Sequence, residues 1–199
     1  MRVVIGLGNP GRKYELTRHN AGFLFLDYIA VQNSISFLPS KYDYYFAEGH
    51  VNHAPFLLIK PHTYMNLSGT AVKNVLDNFS ISIEDILVVY DDVNLPSGEI
   101  RVNPGGGDGG HNGIYSIIYH LNSEKFLRLR IGVGNSFEKG KMAEYVLSSF
   151  SDEEYKNVIN NFQFCNELTQ AFILGGAKGL LDTHAKLKGT NSLNKKLNN

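Results

Sequence analysis

One cysteine in 199 residues, Cys165, excludes an internal disulfide framework and suits a reducing compartment. It falls within a helical pattern and reads as a small buried hydrophobe rather than a nucleophile. No apolar stretch is long enough for a signal peptide or a membrane span, because Asp27 interrupts the longest run, residues 21–31. A cytoplasmic location is the expectation. An excess of charge of either sign is also missing: Lys plus Arg and Asp plus Glu number 19 each. A nucleic-acid binder usually shows a basic balance, so composition by itself argues against an RNA substrate. The charges are unevenly placed, however. Residues 124–141 carry Lys125, Arg128, Arg130, Lys139 and Lys141 against Glu124 and Glu138. Residues 175–199 carry five lysines against Asp182, and the compensating acid is concentrated in 142–167. A neutral total can therefore hide a basic face.

Several catalytic signatures are absent too. There is no GxSxG elbow for a serine-hydrolase triad, and no HExxH or paired-cysteine spacing for a metal. The run Gly6-Leu7-Gly8-Asn9-Pro10-Gly11 has the spacing of a dinucleotide fingerprint. That site requires a helix to start inside the glycines, whereas residues 12–20 have no amphipathic period and Asp27 falls within a helix. A second glycine-rich run, residues 104–113, lacks the GK[ST] ending of a phosphate-cradling loop. It still lets backbone approach a ligand closely, and it delivers His111 and Asn112 to a helix start.

What is there alternates between strand and helix. Residues 3–7 are a short β-rich run, 56–59 and 86–90 are short, continuous apolar runs, as expected of strands buried on both faces, and 127–133 reads as a further strand. Residues 20–33, 68–79 and 113–121 carry helical apolar stripes, and 152–174 reads as one longer helix opened by the capping signature Ser151-Asp152-Glu153-Glu154. The expected fold is α/β: a single domain over 1–186, with a mixed, mostly parallel twisted sheet sandwiched between helices, and a flexible C-terminal tail over 187–199. At 43% hydrophobic content the chain can build one substantial core.

Asn9 and Asp91-Asp92 follow two of the predicted strands directly, and open α/β sheets place ligand crevices at such strand ends. Asn9, His19, Asn66, Asp91 and Asn112 are thus expected to converge on one rim. The residues alone leave two chemistries open there: a metal held by His19, His111, Asp91 and Asp92, or a metal-free general base with no protein nucleophile.

The blocks from Gly6 to Gly11, Tyr14 and Thr17-Arg18-His19-Asn20-Ala21-Gly22 resemble the opening of the bacterial-type peptidyl-tRNA hydrolase family. The similarity continues through Lys60-Pro61-His62-Thr63-Tyr64-Met65-Asn66-Leu67-Ser68-Gly69, Tyr90-Asp91-Asp92 with Leu95-Pro96, the glycines of 105–113, and Arg128-Leu129-Arg130-Ile131-Gly132-Val133-Gly134. These five blocks occur in the family's order. The resemblance implies a metal-free, cofactor-free monomeric esterase acting on peptidyl-tRNA, with no protein partner. It implies three catalytic groups: His19 as general base, Asp91 orienting its imidazole, and Asn9 distinguishing a blocked from a free amino group. It further implies that Asn66 and Asn112 hold the peptide and the water, that Tyr14, Tyr64, Met65 and His111 line the substrate's place, and that Arg130 and Lys139 meet tRNA phosphates. Four positions depart from the pattern: Asn94 replaces a frequent second acid, Asn103 and Tyr115 replace common basic residues, and Ser136 replaces a frequent proline. A non-catalytic tRNA- or ribosome-binding module is the alternative from a different class.

Overall fold

Among the described residues, seven strands form one sheet in the order β2-β3-β4-β1-β5-β7-β6. They are β1 (Arg2–Gly6), β2 (Leu38–Pro39), β3 (Tyr44–Val51), β4 (Ala54–Pro61), β5 (Ile86–Asp92), β6 (Ile100–Asn103) and β7 (Leu127–Gly132). The computed structural model describes residues 1–197, with side chains through Gly189. The four central strands, β4-β1-β5-β7, pair in parallel, and antiparallel strands border them on both sides. The mixed, mostly parallel sheet expected from the buried apolar runs is the one found.

The period of two along each strand divides the core into two layers. Val4, Leu58, Leu87 and Val89 point toward α1 (Ala21–Gln32), α5 (Asp152–Ile159) and α6 (Phe162–Leu197). Val3, Ile5, Leu57, Ile59 and Val88 point toward α2 (Ser68–Phe79) and α3 (Asn112–Leu121). Cys165 is fully buried in the first layer, where burial pushes its thiol well above the ordinary range. Among the described residues no helix is long and apolar enough to cross a membrane.

Three elements differ from the sequence reading. The helix expected over 152–174 is two helices, α5 and α6, separated at Asn160 and Asn161, where the amide of Asn161 turns back onto the Asn157 carbonyl. Ser151 does cap α5, in a reciprocal box with Glu154. Beyond residue 174, Gly176 leaves helical geometry at φ 62°, and Arg2 donates to the Ile173 carbonyl just before the kink. The tail expected from residue 187 is, in backbone, a continuation of α6 to Leu197. A short helix, α4 (Met142–Val146), had no signal of its own.

Candidate active site

The chain leaves β1 toward α1 on one face of the sheet, while the segment after β5 leads to α3 on the other. Neighbouring parallel strands whose continuations part in this way open a crevice at their carboxyl ends. His19 stands in a 3₁₀ turn, Arg18–Asn20, between β1 and α1. Asp91 is at the end of β5, and His111 is the residue that caps α3. A cavity of about 730 Å³ occupies this place.

Gly22 sets how closely α1 approaches the strands. A Cβ there would lie 2.4 Å from the Val89 carbonyl oxygen and 2.5 Å from the Leu7 nitrogen. That seat on the backbones of β1 and β5 carries the preceding turn, and with it His19, up against Asp91. From the other side Arg18 fixes the same turn. Its buried guanidinium donates to Glu154 at 2.6 Å and to the Ser149 carbonyl at 2.9 Å, and it lies over the Tyr145 ring.

His19 Nδ1 is 2.9 Å from Asp91 Oδ1, and His111 Nε2 is 3.0 Å from the same oxygen. The other nitrogen of His111, Nδ1, accepts from the backbone N–H groups of Gly113 and Ile114 at 3.2 and 3.3 Å. An imidazole nitrogen that accepts carries no hydrogen, so the pattern assigns the His111 proton to Nε2, which donates to Asp91. Burial alone would raise the Asp91 carboxyl, but the two imidazoles beside it hold it far below the ordinary carboxylate range. An ionised Asp91 accepts from both rings. For His19, burial pushes the imidazole down, and attraction and hydrogen bonding to Asp91 outweigh it, leaving the group raised above its usual 6.5. With Nδ1 committed to Asp91, Nε2 is the nitrogen that His19 can turn to a ligand.

Asn9 is fixed as tightly. Its backbone N–H donates to Asn20 Oδ1 at 2.8 Å, and its carbonyl accepts from Asn20 Nδ2 at 3.0 Å. Its own Oδ1 accepts from the Met65 N–H at 2.8 Å, which leaves the Asn9 NH₂ as the group offered to the cavity. Asn66 and Asn112 are exposed on the wall, and Tyr14 and Tyr64 stand with them. The Lys13 ammonium rests over the Tyr14 ring, 4.6 Å from its centroid.

Of the residues expected at the site, Asn9, Tyr14, His19, Tyr64, Met65 and Asn66 line the one cavity, as do Asp91, His111, Asn112 and Arg130. Lys139 does not line it; it is exposed on the segment between β7 and α4. Arg130 is paired with Asp92 and donates to Asn103 Oδ1 at 3.2 Å, so its charge is already offset. Both ring nitrogens of His111 are engaged by the protein, which leaves it no free hydrogen-bonding position for a substrate. Sequence reasoning assigned no role to Asn20, although it directly follows His19. It likewise missed Arg128, whose buried guanidinium ties the Gly106 and Gly107 carbonyls to β7, and the wall formed by Met142, Ala143, Val146 and Leu147.

Among the described residues, His19, Asp91 and His111 are also a set whose ligand atoms lie close enough, within 4.8 Å, to suggest a metal. The tautomer speaks against it. To coordinate through Nε2, a neutral His111 would have to carry its hydrogen on Nδ1, against the two N–H groups that now donate there.

The peptidyl-tRNA hydrolase family model matches residues 3–194. A peptidyl-tRNA hydrolase of Clostridium tetani is 40% identical over 184 residues, covering 92% of this chain and 97% of the relative. One from Exiguobacterium sp. is 44% identical over 154 residues, covering 77% and 83%. The crystal structure of peptidyl-tRNA hydrolase from Acinetobacter baumannii superposes with a TM-score of 0.87 at 32% identity, over 92% of this chain and 93% of the other. The order of the five sequence blocks, the crevice they build and these matches agree: the chain belongs to the peptidyl-tRNA hydrolase family.

Proposed function

We propose that this protein hydrolyses the ester joining a peptide, or an N-blocked aminoacyl group, to the 3′ ribose of tRNA, with His19 as general base. The observation that carries the reading is the commitment of His19 Nδ1 to Asp91, which leaves Nε2 for the asparagine-lined cavity. Such an ester is an activated acyl group, so attack needs a positioned water, a base and stabilisation of the oxyanion. Nε2 takes a proton from water as its oxygen bonds to the ester carbonyl carbon. The imidazolium formed is stabilised by Asp91, and it returns the proton to the ribose oxygen as the tetrahedral intermediate collapses. Free tRNA and peptide leave, and His19 is neutral again. Amide groups of Asn66 and Asn112 offer donors and acceptors to a peptide backbone without reading side chains, which suits a substrate of any sequence. Met65 is part of the same wall through its hydrogen bond to Asn9.

The Asn9 NH₂ explains selectivity. It donates to the carbonyl of a blocked amino group, whereas a free ammonium has only donors and meets it unfavourably. Tyr14 and Tyr64 offer stacking faces to the single-stranded end of tRNA, and Lys139 offers charge to phosphates, whereas the charge of Arg130 is taken up by Asp92. The enzyme works as a monomer in the cytoplasm, where its substrate arises and where a lone thiol is at home. The test is hydrolysis of N-blocked and free aminoacyl-tRNA side by side. Rapid release from the blocked substrate alone is expected. A protein that binds tRNA and releases neither would be the non-catalytic module instead.

A further inference from the structure

We propose that His111 is a positioning residue for the base: locked by the start of α3 with its hydrogen on Nε2, it shares Asp91 with His19 and so keeps the affinity of His19 for its proton near the working pH. The proposal rests on the reading of His19 as the base. It goes further by giving a role to a ring that has no free nitrogen for substrate.

The geometry supplies the argument. Two N–H groups converge on one carboxylate oxygen, from His19 at 2.9 Å and His111 at 3.0 Å, and the rings lie 4.8 Å apart at 54°. A carboxylate that already accepts a fixed donor attracts an imidazolium less strongly than one with that lone pair free. The lock on His111 is the helix itself. Its Nδ1 takes two of the four N–H groups that an α-helix start leaves unpaired, so rotation of the ring would strip α3 of its cap. The Tyr90 ring packs edge-on against His111 from below, with centroids 4.9 Å apart. The other charged groups around the cavity are each held by partners other than His19, and Asp91 is the charge that acts on it. Arg130 and Asp92 pair with each other, and Arg128 with loop carbonyls; Asp108 accepts from the Gly110 N–H, and Arg18 pairs with Glu154. Asp91 is therefore the carboxylate His19 feels, and His111 is the group that moderates it.

His111→Asn and His111→Ser both retain a residue that caps a helix, but neither reaches Asp91 from that position. The imidazole of His19, followed by NMR in the free protein, should titrate higher in both variants by about half a unit to one unit. The deficit in kcat/KM should then be about 3- to 10-fold greater on the acid side of the profile than at pH 8.5, as that shift converts. A His19 titration that stays in place or moves down, or a deficit equal at every pH, overturns the proposal. Nitrogen shifts of the unaltered protein give a test without mutation: Nδ1 of His111 should be the bare nitrogen, and a proton there also overturns it. Because the titration and tautomer are read without turnover, they fail independently of the base assignment, which falls only if loss of His19 leaves hydrolysis intact.

Discussion

Replacing Asn20 with Ala removes a side chain that never faces the cavity, yet it should damage both stability and turnover. Asn20 is 2% exposed, and its amide satisfies the Asn9 N–H at 2.8 Å and the Asn9 carbonyl at 3.0 Å. Truncation leaves both groups without partners in a buried site. Each orphaned group costs about 1–3 kcal/mol, so the loss is about 2–6 kcal/mol, a large share of the ~5–15 kcal/mol that holds a domain of this kind folded. The chemistry follows from the same bonds. Once the Asn9 backbone is released, its amide no longer sits in fixed relation to His19, and a misplacement of about 1 Å can cost about 100-fold in rate. Urea unfolding, with an unchanged slope, reads the first effect, and kcat/KM on an N-blocked aminoacyl-tRNA reads the second. A variant within about 0.5 kcal/mol of the parent, the range of an inconsequential surface change, would refute the reasoning.

Gly22→Ala puts a methyl group 2.4 Å from the Val89 oxygen, a backbone atom that no rotamer change can move; a loss of about 3 kcal/mol or more is expected, with a lower melting temperature and slower turnover, and an unaltered melt would contradict it. The raised His19 pKa places the acid limb of kcat/KM above pH 6.5, and a limb below pH 6 would contradict that. The sign for stability follows from linkage: the His19–Asp91 contribution is fully present below about pH 6.5 and is lost as pH rises through the folded value. The stability gap between the parent and His19→Gln should accordingly narrow with rising pH, and a gap that widens would reverse the assignment. Exhaustive chelation with EDTA should leave activity intact, since the tautomer of His111 turns an N–H toward Asp91; abolition restored by added metal would revive the metal-dependent reading.

The central sheet was legible because parallel strands buried on both faces must be continuously apolar, as 3–7, 56–59 and 86–90 are. The sheet's margins were not. β3, Tyr44–Val51, mixes aromatic, charged and glycine residues on a strand that is only partly buried, and β6 has four residues, Ile100–Asn103. Neither holds a pattern long enough to detect. The break between α5 and α6 rests on one asparagine side chain binding a carbonyl four residues back, a competition that periodicity does not register. At the site, strand ends and the family resemblance pointed to Asn9, His19, Asp91 and Asn112. They could not reveal that Asn20 staples the Asn9 backbone, or that Arg130 spends its charge on Asp92. The first is set by the fold of the connection between β1 and α1, and the second exists only once the sheet brings β5 and β7 together. The convergence of both histidines on a single oxygen of Asp91 belongs with the second.

The most direct measurement is single-turnover hydrolysis of an N-blocked aminoacyl-tRNA by His19→Ala, with tRNA affinity followed in parallel. The account predicts a rate lower by about 10²–10⁴-fold, the usual contribution of a positioned general base, with binding largely retained. Hydrolysis at close to the parent rate would contradict it.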